Sequence, residues 1–203
     1  ITDAGTPGIS DPGEDLVRIC YEQGIEVTSL PGAAACITAL TLSGLPTRRF
    51  SFEAFLPKEK KERAAVLEEL KNDTRTLIVY EAPHHLLGTL KELQNALGDR
   101  RLTVCRELTK KFETAFQTTF SEAIRYYEEQ GVRGECVLVI EGRSREELVQ
   151  EAQQSWEAIS VEEHMEHYLS TGMDRKSAMK QVAKDRGVGK REIYQMLLKA
   201  ENE

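Results

Sequence analysis

Four short clusters of small, polar or charged residues follow apolar runs, and these are where chemistry could sit. The first is Asp3-Ala4-Gly5-Thr6-Pro7-Gly8, with Ile9 behind it. Its glycines permit positive φ and close backbone approach, while Asp3 and Thr6 offer hydrogen-bond partners. The spacing matches neither a Walker A loop nor a G-x-G-x-x-G turn, and a tight turn closed by its own Asx bond explains the same residues. The second cluster, Pro31-Gly32-Ala33-Ala34-Ala35, lets a flat ligand approach the backbone; close helix packing is the alternative. The third is Tyr80-Glu81-Ala82-Pro83-His84-His85. A carboxylate ending a buried strand is costly to bury unpaired, so Glu81 either faces a cationic or ribose-like ligand or caps the next helix. The fourth, Arg106-Glu107-Leu108-Thr109-Lys110-Lys111-Phe112-Glu113, alternates charge around a hydroxyl. It reads either as a solvated strand end or as a polar patch able to hold a phosphate or activate a hydroxyl.

Other chemistries find little support. No Ser-His-Asp or Cys-His set can be assembled from the spacing. His84 and His85 are adjacent, so on a helix they point about 100° apart, poor geometry for sharing a metal. Cys20, Cys36, Cys105 and Cys136 are isolated in apolar surroundings without C-x-x-C or Cys/His spacing. They read as buried free thiols of a reducing, cytoplasmic compartment, and no metal is expected.

The elements that must position these clusters alternate. Asp11-Pro12-Gly13-Glu14 reads as a helix start with Asp11 as N-cap, and Gly24 as its stop. "IEVTSL" reads as a short strand ended by Pro31-Gly32, and "AAACITALTLSG" as a helix buried on most sides. "RRFSFEAFL", "TRTLIVYEA", "RLTVCREL", "ETAFQTTF" and "GECVLVIEG" read as strands. "KEKKERAAVLEELKN", a helix opened by Pro83, and a helix capped by Ser121 lie between them. This is an α/β pattern with parallel portions, and the short links around "ETAFQTTF" and "ECVLVIEG" predict some antiparallel pairing.

After Gly142 the strand signal stops, which places a boundary near Arg143. A polar helix follows, then a capping box at Ser160-x-x-Glu163, a helix capped by Asp174, and a last helix after Gly187-Val188-Gly189. The last three resemble a helix-turn-helix.

The chain has 203 residues and a net charge of −7, with 30% charged and 40% apolar residues, an ordinary soluble composition. No apolar run approaches a membrane span, and no signal-peptide pattern appears. The charge is unevenly spread. Residues 144–172 hold seven acidic side chains against Arg145, whereas 173–199 hold eight basic against three acidic. A basic helical end suits phosphate contacts, as does the plainer reading of a solvated cap.

Taken together, "DAGTPGISDPG", "LPGAAACITALTLSGLP", "FEAFLP", "YEAPHHL", "RELTKKFET" and "GECVLVIEG" occur in an order similar to that of the tetrapyrrole-methylase superfamily. Within it the chain most resembles the bacterial branch that methylates ribose 2′-hydroxyls of 16S rRNA. The family pattern usually reads YESPHRL where Tyr80 to Leu86 stand; Ala82 lacks the hydroxyl and His85 the permanent charge. The resemblance implies a tetrapyrrole-methylase-like (class III methyltransferase) fold: a mixed α/β sheet flanked by helices, here with a helical C-terminal appendix. It implies a homodimer of two-domain subunits holding S-adenosylmethionine between the domains. This chain would then carry the end of the first domain (1–30), the second domain (31–143) and a helical domain (144–203).

By position in the motifs, Asp3, Ala4, Gly5, Thr6, Pro7 and Ile9 would line the cofactor's methionine side. Ala33 and Ala34 would flank it, and Tyr80, Glu81 and Leu108 would complete the adenosine pocket. Glu107 is the candidate base or orienter, with Lys110 and Arg106 stabilising the nucleophile or gripping a phosphate. Arg175, Lys176, Lys180, Lys184, Lys190 and Arg191 are the candidate contacts to 16S rRNA or the small ribosomal subunit. Two other readings stand beside this one: methylation of a tetrapyrrole or other small molecule, and a non-catalytic RNA-binding or dimerisation module.

Overall fold

The computed structural model describes residues 5–200. The chain divides into two compact units that meet in sequence between Arg143 and Ser144.

The first unit is built on a five-stranded sheet in the order β1-β2-β5-β3-β4: Phe50–Phe55, Thr76–Glu81, Cys136–Ile140, Arg101–Arg106 and Thr114–Thr119. β1 and β2 run parallel, joined through helix α3 (Lys60–Leu70), while β2–β5, β5–β3 and β3–β4 are antiparallel. The short connections around β4 and β5 thus pair antiparallel, as their spacing predicts.

The pleat sorts side chains onto two faces. On one, Leu77, Val79, Leu102, Val104, Leu138 and Ile140 pack with residues of α3, α4 (Pro83–Leu97) and α5 (Phe120–Gln130). On the other, Ile78, Cys105, Val137 and Val139 pack against helix α2 (Ala35–Ser43) alone. Side chains pin α2 at both ends. The Tyr80 hydroxyl accepts from the Cys36 N–H at 2.8 Å. The Ser43 carbonyl accepts from Thr103 Oγ1 at 3.0 Å and Gln117 Nε2 at 2.9 Å.

Four expectations are corrected. Residues 25–30 carry no strand pairing; no other strand of the described residues offers them a ladder, and Leu30 is exposed. Helix α1 (Glu14–Glu22) is capped by Gly13 without a side-chain bond, so Asp11 is not its cap. Its end follows the expected pattern: Gly24 has φ 67°, Gly24 N–H reaches Tyr21 O and Ile25 N–H reaches Cys20 O, a Schellman closure. Helix α2 buries one side only, Cys36, Ala39, Leu40 and Ser43; Ile37 and Leu42 are exposed because the sheet is all it packs against among the described residues. Thr119 rather than Ser121 caps α5, since Ser121 is drawn to Asp99 through both its N–H and its hydroxyl at 2.7 Å.

The second unit comprises α6 (Arg145–Glu157), α7 (Val161–Ser170), α8 (Arg175–Asp185) and α9 (Lys190–Ala200). Ser160 and Glu163 form the expected capping box, and Asp174 caps α8 through the N–H groups of Lys176 and Ser177. Val161, Met165, Ala178, Met179, Val182, Ala183, Ile193 and Leu197 form the core. A polar network crosses it: Arg186 donates to His164 Nδ1 at 3.1 Å and to the Ile159 and Ser160 carbonyls, and the Tyr168 hydroxyl donates to Asp185. His164 is fully buried and stacks on Trp156, ring centroids 3.9 Å apart. Burial and the Arg186 guanidinium hold its pKa below the ordinary imidazole value.

Candidate functional site

The strand-end clusters converge on the α2 side of the sheet. Thr6 N–H donates to the Ala33 carbonyl at 2.8 Å, joining the first Gly/Pro loop to the turn before α2. The contact is tight enough to require glycine. A Cβ on Gly5, which has φ 73°, would lie 2.5 Å from the Ala33 carbonyl oxygen. One on Gly32 would lie 2.8 Å from Thr6 Oγ1. Pro7 and Ile9 are exposed beside this junction; Asp3 and Ala4 lie outside the described residues. Ala34 is the N-cap of α2 and offers no side-chain cap; the Tyr80 hydroxyl takes the Cys36 N–H, and the partial positive charge of the helix N-terminus suits an anion.

Tyr80, from the end of β2, forms the wall next to that N-terminus. Burial pushes its phenol above the ordinary range. Phe52 and Phe55 meet it edge-on, with centroids 4.9 and 5.7 Å away. Residues three apart on a regular strand point to opposite faces. Here the register shifts between Phe52 and Ala54, and Ala54 takes φ 50°, so this bulge turns both phenylalanines toward Tyr80. Sequence reasoning gave neither Phe a site role. The available signal was the i, i+3 pair of aromatics in "FSFEAF", which can share a face only across a bulge.

Leu108 packs on the same cluster. It is flanked by Glu107 at φ 52° and Thr109 at φ 64°, two non-glycine residues in the left-handed region. Such backbone costs on the order of 1–3 kcal/mol per residue and persists where surrounding contacts enforce it. The contacts are visible. Glu107 N–H donates to the Glu135 carbonyl at 3.0 Å, and the Glu107 carboxylate accepts from Glu135 N–H at 2.9 Å. Gly134 lies beneath, where a Cβ would fall 2.5 Å from Glu107 Cγ. Lys110 Nζ bridges Glu107 at 3.3 Å and Glu135 at 2.9 Å. The Glu135 N–H and the Lys110 ammonium hold the Glu107 carboxyl below the usual range, and the two carboxylates raise the Lys110 pKa.

Glu81 and Arg106 are not brought into this group. Both pair with Cys136, from β2 and β3 respectively, and so share a row on the opposite face, where Cys136 packs with the α4 and α5 residues. The buried Glu81 carboxylate accepts from Ala82 N–H at 2.8 Å and Thr89 Oγ1 at 2.6 Å. Arg63 in turn donates to Thr89 Oγ1 at 2.8 Å, tying α3, α4 and β2 together. Arg106 Nε is buried without a hydrogen-bond partner among the described residues. His84 and His85 are exposed at the start of α4, ring centroids 4.1 Å apart.

In the second unit, Lys176, Lys180 and Lys184 lie at i, i+4 and i+8 along the exposed side of α8, opposite buried Ala178 and Val182. Arg175 and Lys176 stand in its first turn, and Lys190 and Arg191 open α9, all exposed.

Fold and site therefore define an α/β domain with an apolar, aromatic cluster beside a helix N-terminus, followed by a helical unit whose last two helices are basic. The family model for Tetrapyrrole (Corrin/Porphyrin) Methylases matches residues 1–124, and the chain belongs to that family. It is similar to proteins named ribosomal RNA small subunit methyltransferase I. Identity is 47% over 194 residues with those of Halalkalibacterium halodurans and Bacillus subtilis, covering 96% of this chain and 66% of each relative. With the Synechocystis relative it is 43% over 202 residues, covering 99% of this chain and 71% of that one. The chain thus spans about two thirds of their length. Two solved structures share the fold. The cobalt precorrin-4 methyltransferase CbiF superposes with a TM-score of 0.51 at 17% identity, over 68% of this chain and 61% of that one. The methyltransferase CobJ gives 0.51 at 20%, over 66% and 61%.

Proposed function

We propose that this chain serves S-adenosylmethionine-dependent methylation of small-subunit ribosomal RNA, at a cytidine ribose 2′-hydroxyl of 16S rRNA, as part of a cytoplasmic homodimer. The observation that carries the reading is the 43–47% identity, over nearly the whole chain, with proteins named for that RNA. The identity continues through the helical unit with its two basic last helices, which a small corrin substrate would not need.

The residues of the α2 side suit such a cofactor. Gly5 to Pro7 and Ile9 would border its amino-acid end. Ala33 and Ala34 leave room at the helix N-terminus, and Tyr80, Phe52 and Leu108 offer flat apolar surface for a purine. Glu81 would contribute through its backbone, since its carboxylate is committed to Thr89. When bound, the cofactor supplies an electrophilic methyl group.

Methyl transfer to a hydroxyl is an in-line displacement, in which orientation can supply much of the rate enhancement. Glu107 is suited to orienting rather than to proton removal. A carboxylate whose pKa is held low, with lone pairs already engaged, has little driving force as a general base near neutrality. Lys110 is half-exposed, so its ammonium could turn from Glu135 toward a phosphate or a developing alkoxide. Arg106, on the far face, would support the end of β3 rather than touch RNA. Arg175, Lys176, Lys180, Lys184, Lys190 and Arg191 would grip phosphates, giving affinity that falls with salt.

The test is incubation of the full chain with methyl-labelled S-adenosylmethionine and unmodified small ribosomal subunits, followed by nucleoside mass spectrometry. Label in 2′-O-methylcytidine is the expected outcome, reduced by Lys110→Ala. Label on a base, or transfer to a tetrapyrrole but not to RNA, would refute the reading.

A further inference from the structure

The second unit carries an exposed aromatic that its fold does not use. On α9, Ile193 and Leu197 are the buried positions that seat the helix on its neighbours. Tyr194 lies outside that seam, 52% exposed. Lys190 stands one turn before it at i−4 and Arg191 at i−3, so both cations share its flank of the helix. Leu198 follows at i+4 and extends the flat surface. The carboxylate of the helix, Glu192, points to the other flank and accepts from Gly189 N–H at 3.3 Å. Lys199, at i+7 from Glu192, lies on that other flank, so Lys190 and Arg191 are the cations beside the tyrosine.

We infer that this flank of α9 holds an unpaired nucleotide of RNA, its base stacked on the Tyr194 ring and its neighbouring phosphates on Lys190 and Arg191. The inference rests on the RNA reading above and deepens it. The lysine row of α8 offers charge without an aromatic, which suits backbone contact of any sequence or shape. Tyr194 adds a π-face, and single-stranded RNA is the partner class that exposes bases to one. Charge also argues against a second copy of this surface as the occupant. A two-fold pairing of like patches would set Lys190 and Arg191 against the partner's own cations.

The experiment uses the full chain and a short single-stranded RNA carrying 2-aminopurine, with the same sequence closed into a duplex as control. Stacking should quench the probe on the single strand and not in the duplex. Tyr194→Ala should weaken single-strand binding about tenfold and abolish the quench, while Tyr194→Phe keeps both. The exposed position should leave the melting temperature unchanged. Lys190→Ala and Arg191→Ala should weaken binding and flatten its salt dependence, with stacking retained. Salt-dependent binding that Tyr194→Ala leaves intact would overturn this inference and spare the RNA reading. Absence of salt-dependent binding, unaffected by Lys176→Gln, Lys180→Gln and Lys184→Gln, would overturn both. A shift in oligomeric state with Tyr194→Ala, without change in RNA affinity, would identify the flank as a protein contact and refute the inference.

Discussion

The two faces of the sheet end in different ways, although the same strands supply both. On the three-helix side, the row Glu81–Cys136–Arg106 is closed over: the Glu81 carboxylate is satisfied by Thr89 and Ala82, and helices lie above it. On the α2 side, Tyr80, Phe52 and Leu108 pack on the cluster beneath a helix whose N-cap is Ala34 and whose Cys36 N–H bonds Tyr80. One face commits the Glu81 carboxylate to structure, and the other keeps apolar and aromatic surface beside a helix N-terminus. Adjacent residues of one linear motif thus take unrelated roles, because the pleat sends neighbours to opposite sides.

The strongest way to sharpen this contrast is in the cores. Leu90→Ala, on α4 in the core that three helices share, should cost about 3–4 kcal/mol in chemical denaturation, since little can relax into the void. Leu40→Ala, on α2 and facing the sheet, should cost nearer 2 kcal/mol, because a single helix can settle inward. Equal losses would argue that the faces are equally rigid.

The strand-end pair comes next. Glu81→Ala leaves Thr89 and the Ala82 N–H without their acceptor and should cost about 1–3 kcal/mol of stability. Its effect on cofactor affinity should be less than twofold. Tyr80→Phe loses only the bond from Cys36 N–H, about 1 kcal/mol, but should weaken cofactor binding severalfold by freeing the start of α2. The reverse pattern in titration calorimetry would exchange the roles of the faces.

Much of this was legible beforehand. Pro83 at the first position of α4, the apolar runs of β2 and β5, some antiparallel pairing and the Ser160 and Asp174 caps follow from local rules. The meeting of the first loop with the turn before α2 comes from the family resemblance, not from local rules. What escaped depends on longer-range facts. The β1 bulge that rotates Phe52 and Phe55, the left-handed Glu107 and Thr109, and the competition of Asp99 for Ser121 have no local signature. Residues 25–30 have strand composition, but a strand also needs a partner, and none is present among the described residues.

A smaller effect concerns the thiols, one on each face. Burial pushes Cys105 up to about 11 and Cys136 up to about 12. The folded state therefore keeps both protonated where the unfolded chain begins to ionise, near pH 8.5. Because the folded pKa values are raised, this contribution is intact below that pH and is lost as pH rises through the folded values. Stability should decline from about pH 8.5 upward, less steeply in Cys105→Ala and Cys136→Ala. At pH 8 an alkylating agent should label half-buried Cys20 ahead of either.

The central claim is that the α2 side is the ligand-binding side, and amide hydrogen exchange with and without S-adenosylmethionine tests it most directly. The account predicts added protection at 5–9, 31–36 and 107–109, with α4 and α5 unchanged. Protection centred on α4 and α5, or none at 31–36, would contradict it.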